Sequence, residues 1–274
     1  MSVADTALAP LRVAPSRVRQ RRRRMILIRA LRFALLIALL GIWHVLTDLD
    51  ILPIYIFGRP LGVAQQLWSW FSTGYILEHL ITTLTETMLA FLIGTLLGLV
   101  FGLWLGLSDL AAQVLDPFLK AVNSMPRIVL GPIFAVWFGL GIWSKVALGV
   151  TIVFFLVFFN VYQGVREVSP TLLANARMLG ASRRQLLRSI YLPSAMSWVF
   201  ASLHNAVGMA FVGAVVGEYL GSARGVGYLI LQAEGVFNID AIFAGIIVLT
   251  AFAFCLDQAV TIVERRLLVW QPQR

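Results

Sequence analysis

Six stretches of this 274-residue sequence keep apolar side chains over about 20 residues, the length that carries an α-helix through the hydrocarbon of a bilayer. They lie near residues 26–46, 81–107, 117–140, 145–165, 194–217 and 241–263. With 59% hydrophobic and 13% charged residues and a mean hydropathy of +0.86, the chain exposes more apolar surface than a soluble core can cover. Hydrocarbon offers no water to backbone N–H and C=O groups, so each crossing segment must satisfy them internally as a helix. The expected fold is therefore all-α, a polytopic membrane protein with six transmembrane helices. The first apolar run follows a basic start, as in a signal peptide. It is too long for a signal core and no A-x-A cleavage site follows, so it reads as a retained span.

Charge gives the expected sidedness. The formal net charge is +9, yet nine of the 22 basic residues lie between Arg12 and Arg32. Beyond residue 32 there are 13 basic and 12 acidic residues. The excess is an arm beside an apolar span, which reads as a cytoplasmic anchor against anionic lipid and not as a nucleic-acid tail. Six crossings return the C-terminus to the same side, leaving only Arg59, Lys145 and Arg224 facing outward. Acidic Asp48, Asp50, Glu78, Glu218, Glu234 and Asp240 fall on the outer side. The chain divides into a basic cytoplasmic arm (1–25), a first transmembrane helix with its outer loop (26–80), a core of five transmembrane helices (81–264) and a cytoplasmic tail (265–274).

Within the spans a few residues stand out. Ala90, Gly94, Gly98, Gly102 and Gly106 recur every fourth residue, giving the second span one nearly bare face suited to close helix packing in lipid. Pro126, Arg127 and Pro132 interrupt the third span, which places it inside the bundle, where neighbouring protein or water satisfies the freed backbone groups. His204 and Asn205 sit inside the fifth span and face the bundle interior, and Asp257 and Gln258 near the end of the last span pair with Arg265 and Arg266 or reach water. Pro126, Arg127, Pro132, His204, Asn205 and Glu218 are the candidates to line a pathway, with Glu218 at the outer end of its span as a gate, a receptor contact or a solvated group.

Between the fourth and fifth spans lies SPTLLANARMLGASRRQLLRSIYLP, Ser169 to Pro193. Ser169 can cap a helix that begins at Pro170, Gly180 permits a bend, and Ser182 can cap a second helix that ends at Leu192–Pro193. Leu172, Leu173, Ala176, Leu179, Leu186, Leu187 and Ile190 recur at helical spacing, while Arg177, Arg183, Arg184, Gln185 and Arg188 form a polar outer face. A helix, a bend and a helix is a docking device.

This run resembles the cytoplasmic coupling motif of bacterial ABC importer permeases, E-A-A, three residues, Gly, nine residues, Ile, one residue, Leu-Pro. Ala176, Gly180, Ile190, Leu192 and Pro193 fall on that spacing; Ala174 and Asn175 replace its glutamate and first alanine. Further motifs resemble the nitrate, sulfonate and taurine branch: Asp116-Pro117, Pro126-Arg127, Trp137 to Gly141 (WFGLG), Ser144-Lys145, Glu218-Tyr219, Gly225 to Leu229 (GVGYL) and Glu264 to Trp270 (ERRLLVW). The likeness covers roughly residue 80 to the end. It implies a non-catalytic, membrane-spanning subunit in the bacterial inner membrane, paired with a second copy. It also implies two ATPase subunits that use the ATP and an extracytoplasmic binding protein that delivers a small solute. Coupling to the ATPases would fall to Ala174, Asn175, Ala176, Arg177, Leu179, Gly180, Ala181, Ser182, Arg183, Arg184, Leu192 and Pro193.

No catalytic constellation competes with this. His44, His79 and His204 lack metal-ligand spacing, Cys255 is the sole cysteine, and no G-x-x-x-x-G-K-[ST] appears, so no cofactor is bound directly. GVGYL follows no strand and reads as an outer connection before the last span. Two alternatives remain at this level. A secondary transporter or channel would carry ionisable residues at mid-membrane, where these spans read as almost free of them. A membrane-tethered DNA-binding regulator would use GASRRQLLR as a helix-turn-helix, but that segment has no independent core to present it.

Overall fold

The computed structural model describes residues 15–267; most of the basic arm (1–14) and the end of the tail (268–274) lie outside the described residues. The chain forms two compact units, residues 1–61 and 62–274. The first holds α1 (Pro15–Asp48) and the single turn α2 (Ile54–Phe57). Apolar side chains of α1 from Met25 to Val45 are exposed, as a lipid-facing helix requires.

From residue 60 onward the chain forms α3 (Pro60–Ser72), α4 (Tyr75–Leu107), α5 (Asp109–Ser124), a 3-10 turn (Arg127–Leu130), α6 (Gly131–Phe138) and α7 (Ile142–Arg166). It continues through α8 (Pro170–Met178), α9 (Arg183–Leu186), a π turn (Leu187–Tyr191), α10 (Leu192–Leu220), α11 (Val226–Gly235) and α12 (Ile239–Leu267). No strand occurs among the described residues. Segments Arg24–Asp48, Tyr75–Leu107, Ile142–Arg166, Leu203–Leu220 and Ile239–Ile262 are each long and apolar enough to cross a membrane, and a bent pair, Asp109–Ser124 with Arg127–Phe138, supplies a sixth candidate.

The core is built on the small-residue face of α4. Gly94, Gly98, Gly102 and Gly106 lie against Val153, Val157, Val161 and Val165 of α7, one valine per glycine. A Cβ added at these positions would stand 2.7–2.8 Å from the Cβ of the facing valine, so only the absent side chain lets the backbones approach. Val153, Val157, Val161 and Ala90 are almost completely buried. The ladder continues upward through Ala90 against Gly149, and Gly149 in turn meets Gly213 of α10. Helix α10 runs antiparallel to α7, with Ser194 Oγ donating to Gly164 O (2.9 Å) at one end and Gly217 against Lys145 at the other.

Because glycines and valines ascend together, α4 and α7 are parallel. The segment between them must return the chain through the length of the bundle, and it does so as an elbow. The third apolar run is thus not one straight span over 117–140: it starts at Asp109, stops at Ser124, and turns by 84°. Met125 precedes Pro126 and is extended (φ −69°, ψ 132°), because the proline ring disfavours the helical region for the residue before it. Pro132 then lies in the first turn of α6, where a missing N–H costs least, and Gly139 (φ +74°) ends that helix. Arg166 pairs with Asp109 at 3.1 Å, tying the end of α7 to the start of the elbow.

A second difference from expectation lies at Leu192–Pro193. The helix starting at Arg183 does not end there; it continues as α9, π turn and α10 to Leu220. Pro193 cannot donate a backbone hydrogen bond and its ring crowds the carbonyl four residues back. The widened turn before it, in which Leu192 N–H donates to Leu187 O, gives the chain room to stay helical.

Replacing Gly98 by valine should force α4 from α7 and lower the stability of the detergent-solubilised chain by about 1–3 kcal/mol. Gly208→Ala, where an added Cβ meets nothing within 4 Å, should leave the unfolding midpoint unchanged. Thermal unfolding of both variants beside the parent measures the difference.

Candidate functional site

The bent element after α7 is shaped by two local motifs. Helix α8 ends in a Schellman arrangement: Gly180 N–H donates to Arg177 O (2.9 Å) and Ala181 N–H to Ala176 O (3.0 Å), with Gly180 at φ +83°. Nothing lies within 4 Å of where its Cβ would stand, so glycine is needed there for conformation and not for space. Helix α9 begins with a capping box, Gln185 N–H donating to Ser182 Oγ (3.3 Å) and Ser182 N–H to Gln185 Oε1 (2.7 Å). Ser169 occupies the cap position of α8 with Pro170 behind it, but its side chain makes no capping bond.

The surface of this element is uncovered. Ala174, Asn175, Arg177, Ser182, Arg183, Arg184 and Pro193 are exposed, Ala176, Ala181 and Leu192 half-buried. Leu186 alone among its leucines is buried, whereas Met178 and Leu179 are 82% and 88% exposed and Leu172 is half exposed. A hollow of about 290 Å³ opens between Leu179, Gly180 and Leu186. A rigid, apolar knob ringed by arginines is what remains.

At the opposite end of α7 the three core helices meet in a buried polar cluster. The α4–α7 register places Glu86 on the face that meets Lys145, and α10 contributes Glu218; these are 1%, 1% and 0% exposed. Glu218 Oε1 accepts from Thr83 Oγ1 (2.6 Å) and Oε2 from the backbone N–H of Gly227 (2.7 Å), and Glu218 also hydrogen-bonds Glu86. Lys145 Nζ donates to Leu140 O (2.6 Å) and Gly141 O (3.0 Å), satisfying the carbonyls left free where α6 ends. Val226 N–H donates to Thr83 Oγ1 (3.1 Å), and His79 Nδ1 lies 3.1 Å from both N and O of Gly225. A Cβ at Gly225 would fall inside the Glu218 carboxyl group, and Gly225 adopts φ +105°, so GVGYL is a glycine turn folded onto a buried acid. It opens α11 and is more than a connection.

Glu218 is therefore not solvated, and Lys145 does not face outer water; each lies inside protein because the other and Glu86 are there to meet it. Glu86, Thr83 and His79 are functional candidates that sequence reasoning passed over. Their signal was a carboxylate inside an otherwise apolar run, costly in lipid unless partnered.

The remaining candidates do not converge. Arg127 is half-buried on the elbow, hydrogen-bonded to Asn123, with its guanidinium 4.7 Å from the centre of the Phe155 ring of α7. Pro126 and Pro132 beside it are exposed. His204 Nε2 lies against the Asp257 carboxyl group of α12, beside a cavity of about 520 Å³ lined by Phe211, Phe254 and other apolar residues; Asn205 is exposed, not turned into the bundle as the sequence suggests. Asp257 thus meets His204 of the neighbouring helix α10.

Residues 94–269 match the family described as "Binding-protein-dependent transport system inner membrane component". The chain belongs to this family. A probable ABC transporter permease protein of Haemophilus influenzae is 35% identical over 218 residues, covering 80% of this chain and 88% of its own. A putative aliphatic sulfonates transport permease protein of Bacillus subtilis is 30% identical, covering 85% and 84%. The inward-facing MetNI methionine ABC transporter shares the fold, with a TM-score of 0.61 at 17% identity over 70% of this chain and 95% of that one. The permease is thus an integral inner-membrane, non-catalytic component of an ATP-binding cassette transporter. Membership in this family sets aside both the secondary transporter and the DNA-binding regulator.

Thr83→Val in the permease should leave Glu218 Oε1 without its donor and destabilise the fold by about 1–3 kcal/mol, with Thr83→Ser recovering most of the loss. Unfolding midpoints in detergent measure it; a valine variant as stable as the parent would show that the hydroxyl does not support Glu218.

Proposed function

We propose that this permease works as a pair of identical chains that form the translocation pathway between them. Each is seated on one of two ATPase subunits and receives a small solute, such as a sulfonate, taurine or nitrate, from an extracytoplasmic binding protein. The N- and C-termini and the element from Ser169 to Pro193 lie in the cytoplasm, in keeping with the basic arm and the sparse basic residues on the other side. The similarity to a permease for aliphatic sulfonates supports the solute class.

The observation that carries the mechanism is helical continuity from Arg183 to Leu220. Apolar Met178 and Leu179 would seat in a groove of the ATPase, with Arg177, Arg183 and Arg184 meeting acidic groups at its rim. Closure of the ATPase dimer would then push on α9, and the push would travel up α10 without a flexible joint, because α8 is held to α9 by a Schellman bend and a capping box. His204, paired with Asp257 beside the 520 Å³ cavity, would supply a polar wall of the pathway, with Asn205 next to it, and Pro126, Arg127 and Pro132 would line it from the elbow.

Gly180→Pro and Gly180→Trp should abolish binding-protein-dependent uptake while the protein still inserts in normal amounts. Proline cannot adopt a positive φ, and tryptophan both strains the turn and fills the open space where the ATPase would sit. Gly180→Asn, which tolerates that conformation, should retain activity. Uptake assays with immunoblots of membrane fractions measure this; normal transport by a well-expressed tryptophan variant overturns the coupling role. A cysteine at Arg183 should react with an impermeant maleimide only from the cytoplasmic side, and labelling of intact cells would reverse the topology.

A further inference from the structure

Helix α5 has three faces. Ala112, Leu115 and Leu119 cluster with Phe154 and Phe158 of α7 on the first. Leu110, Val114 and Phe118 are exposed on the second, as contact with lipid tails requires. On the third, Gln113, Asp116, Lys120 and Asn123 recur every third or fourth residue, and Arg127, just past the break, continues the spacing. Gln113, Lys120 and Asn123 are exposed, and Asp116 and Arg127 are half-buried. A polar stripe of this length is costly against hydrocarbon, so this face of the elbow meets water.

The stripe ends at mid-membrane. The Phe155 ring beneath the Arg127 guanidinium belongs to a residue 13 positions from Ile142 and 11 from Arg166, about 20 Å and about 16 Å from the two ends of α7. Below it the charges cancel in pairs, Asp109 with Arg166 at 3.1 Å and Asp116 with Lys120 at 2.6 Å. Arg127 is different: among the described residues no carboxylate pairs with it. Its Nη2 donates to Asn123 O (3.3 Å) and Oδ1, and its Nε is enclosed without a partner. Nη1 has no partner among the described residues and, unlike Nε, is not enclosed. An uncompensated guanidinium at this depth, fixed by Asn123 and an aromatic ring and with N–H groups to spare, suits an oxyanion. Resting on the reading of the chain as a pathway-forming permease, we infer that the polar face of α5 walls the cytoplasmic half of that pathway. Arg127 at its top binds the anionic oxygens of a solute that carries a sulfonate-like group.

Cysteine labelling of the full chain in inside-out membrane vesicles tests this, in a Cys255→Ser background because Cys255 is exposed. Gln113→Cys and Ser124→Cys, on the polar face, react with impermeant methanethiosulfonates; Val114→Cys and Phe118→Cys, on the apolar face, do not. Relative to a free thiol, Ser124→Cys favours the anionic sulfonatoethyl reagent over the cationic trimethylammonium one by at least about fivefold. Arg127→Gln abolishes that preference and Arg127→Lys keeps it. Sodium ethanesulfonate slows the reaction of Ser124→Cys with uncharged methyl methanethiosulfonate, dimethyl sulfone does not, and the slowing is lost in Arg127→Gln. Equal reactivity of the two faces overturns the water-lined wall. The anion site is overturned by an absent charge preference while Arg127 is intact, as when a carboxylate of the second copy neutralises it, or by a preference that survives Arg127→Gln. Labelling needs no ATP hydrolysis, and a permease of reversed topology shows the same face and the same preference in right-side-out vesicles. Failure of the coupling or topology reading is therefore distinct from failure of the anion site.

Discussion

The parallel contact between α4 and α7 governs this structure. In lipid the hydrophobic effect does not drive helices together, so association rests on how closely two backbones can approach. Four glycines against four valines set that approach and, with it, the register of the two helices. Once these helices ascend side by side, the chain between them has to descend, and a segment broken at Pro126 makes the return. The same register carried further toward the start of both helices brings Glu86 to Lys145. Packing and polar chemistry thus follow from one repeat of small residues.

The spans were legible because hydropathy over about 20 residues is a strong signal. Their geometry was less so. The third apolar run contains its own breaker, but a sequence pattern cannot distinguish a kink from an 84° elbow, since that depends on what the two halves pack against. The bend at Gly180 and the capping box at Ser182 were readable because such motifs are local: the residues that determine them lie within a few positions. The continuation past Pro193 was hidden because proline ordinarily argues for an end, and only a widened turn permits otherwise.

The buried cluster was hidden for a different reason. Glu86, Lys145 and Glu218 come from three helices far apart in sequence, and two of them sit close enough to helix ends to read as interfacial. Each alone looks solvated or incidental; together they account for one another's burial. His204 and Asp257 repeat the lesson on a smaller scale, each meeting a neighbour from another helix that no spacing rule reveals.

The π turn before α10 has a geometric effect beyond accommodating a proline. Five-residue closure inserts about one residue into the helical repeat, which rotates everything below it by roughly 100° relative to the helix above. The azimuth of Arg183, Arg184 and Leu186 with respect to the face that packs on α7 is therefore fixed by a single wide turn. A relative with an ordinary turn there would present a different side of the same helix to whatever it touches.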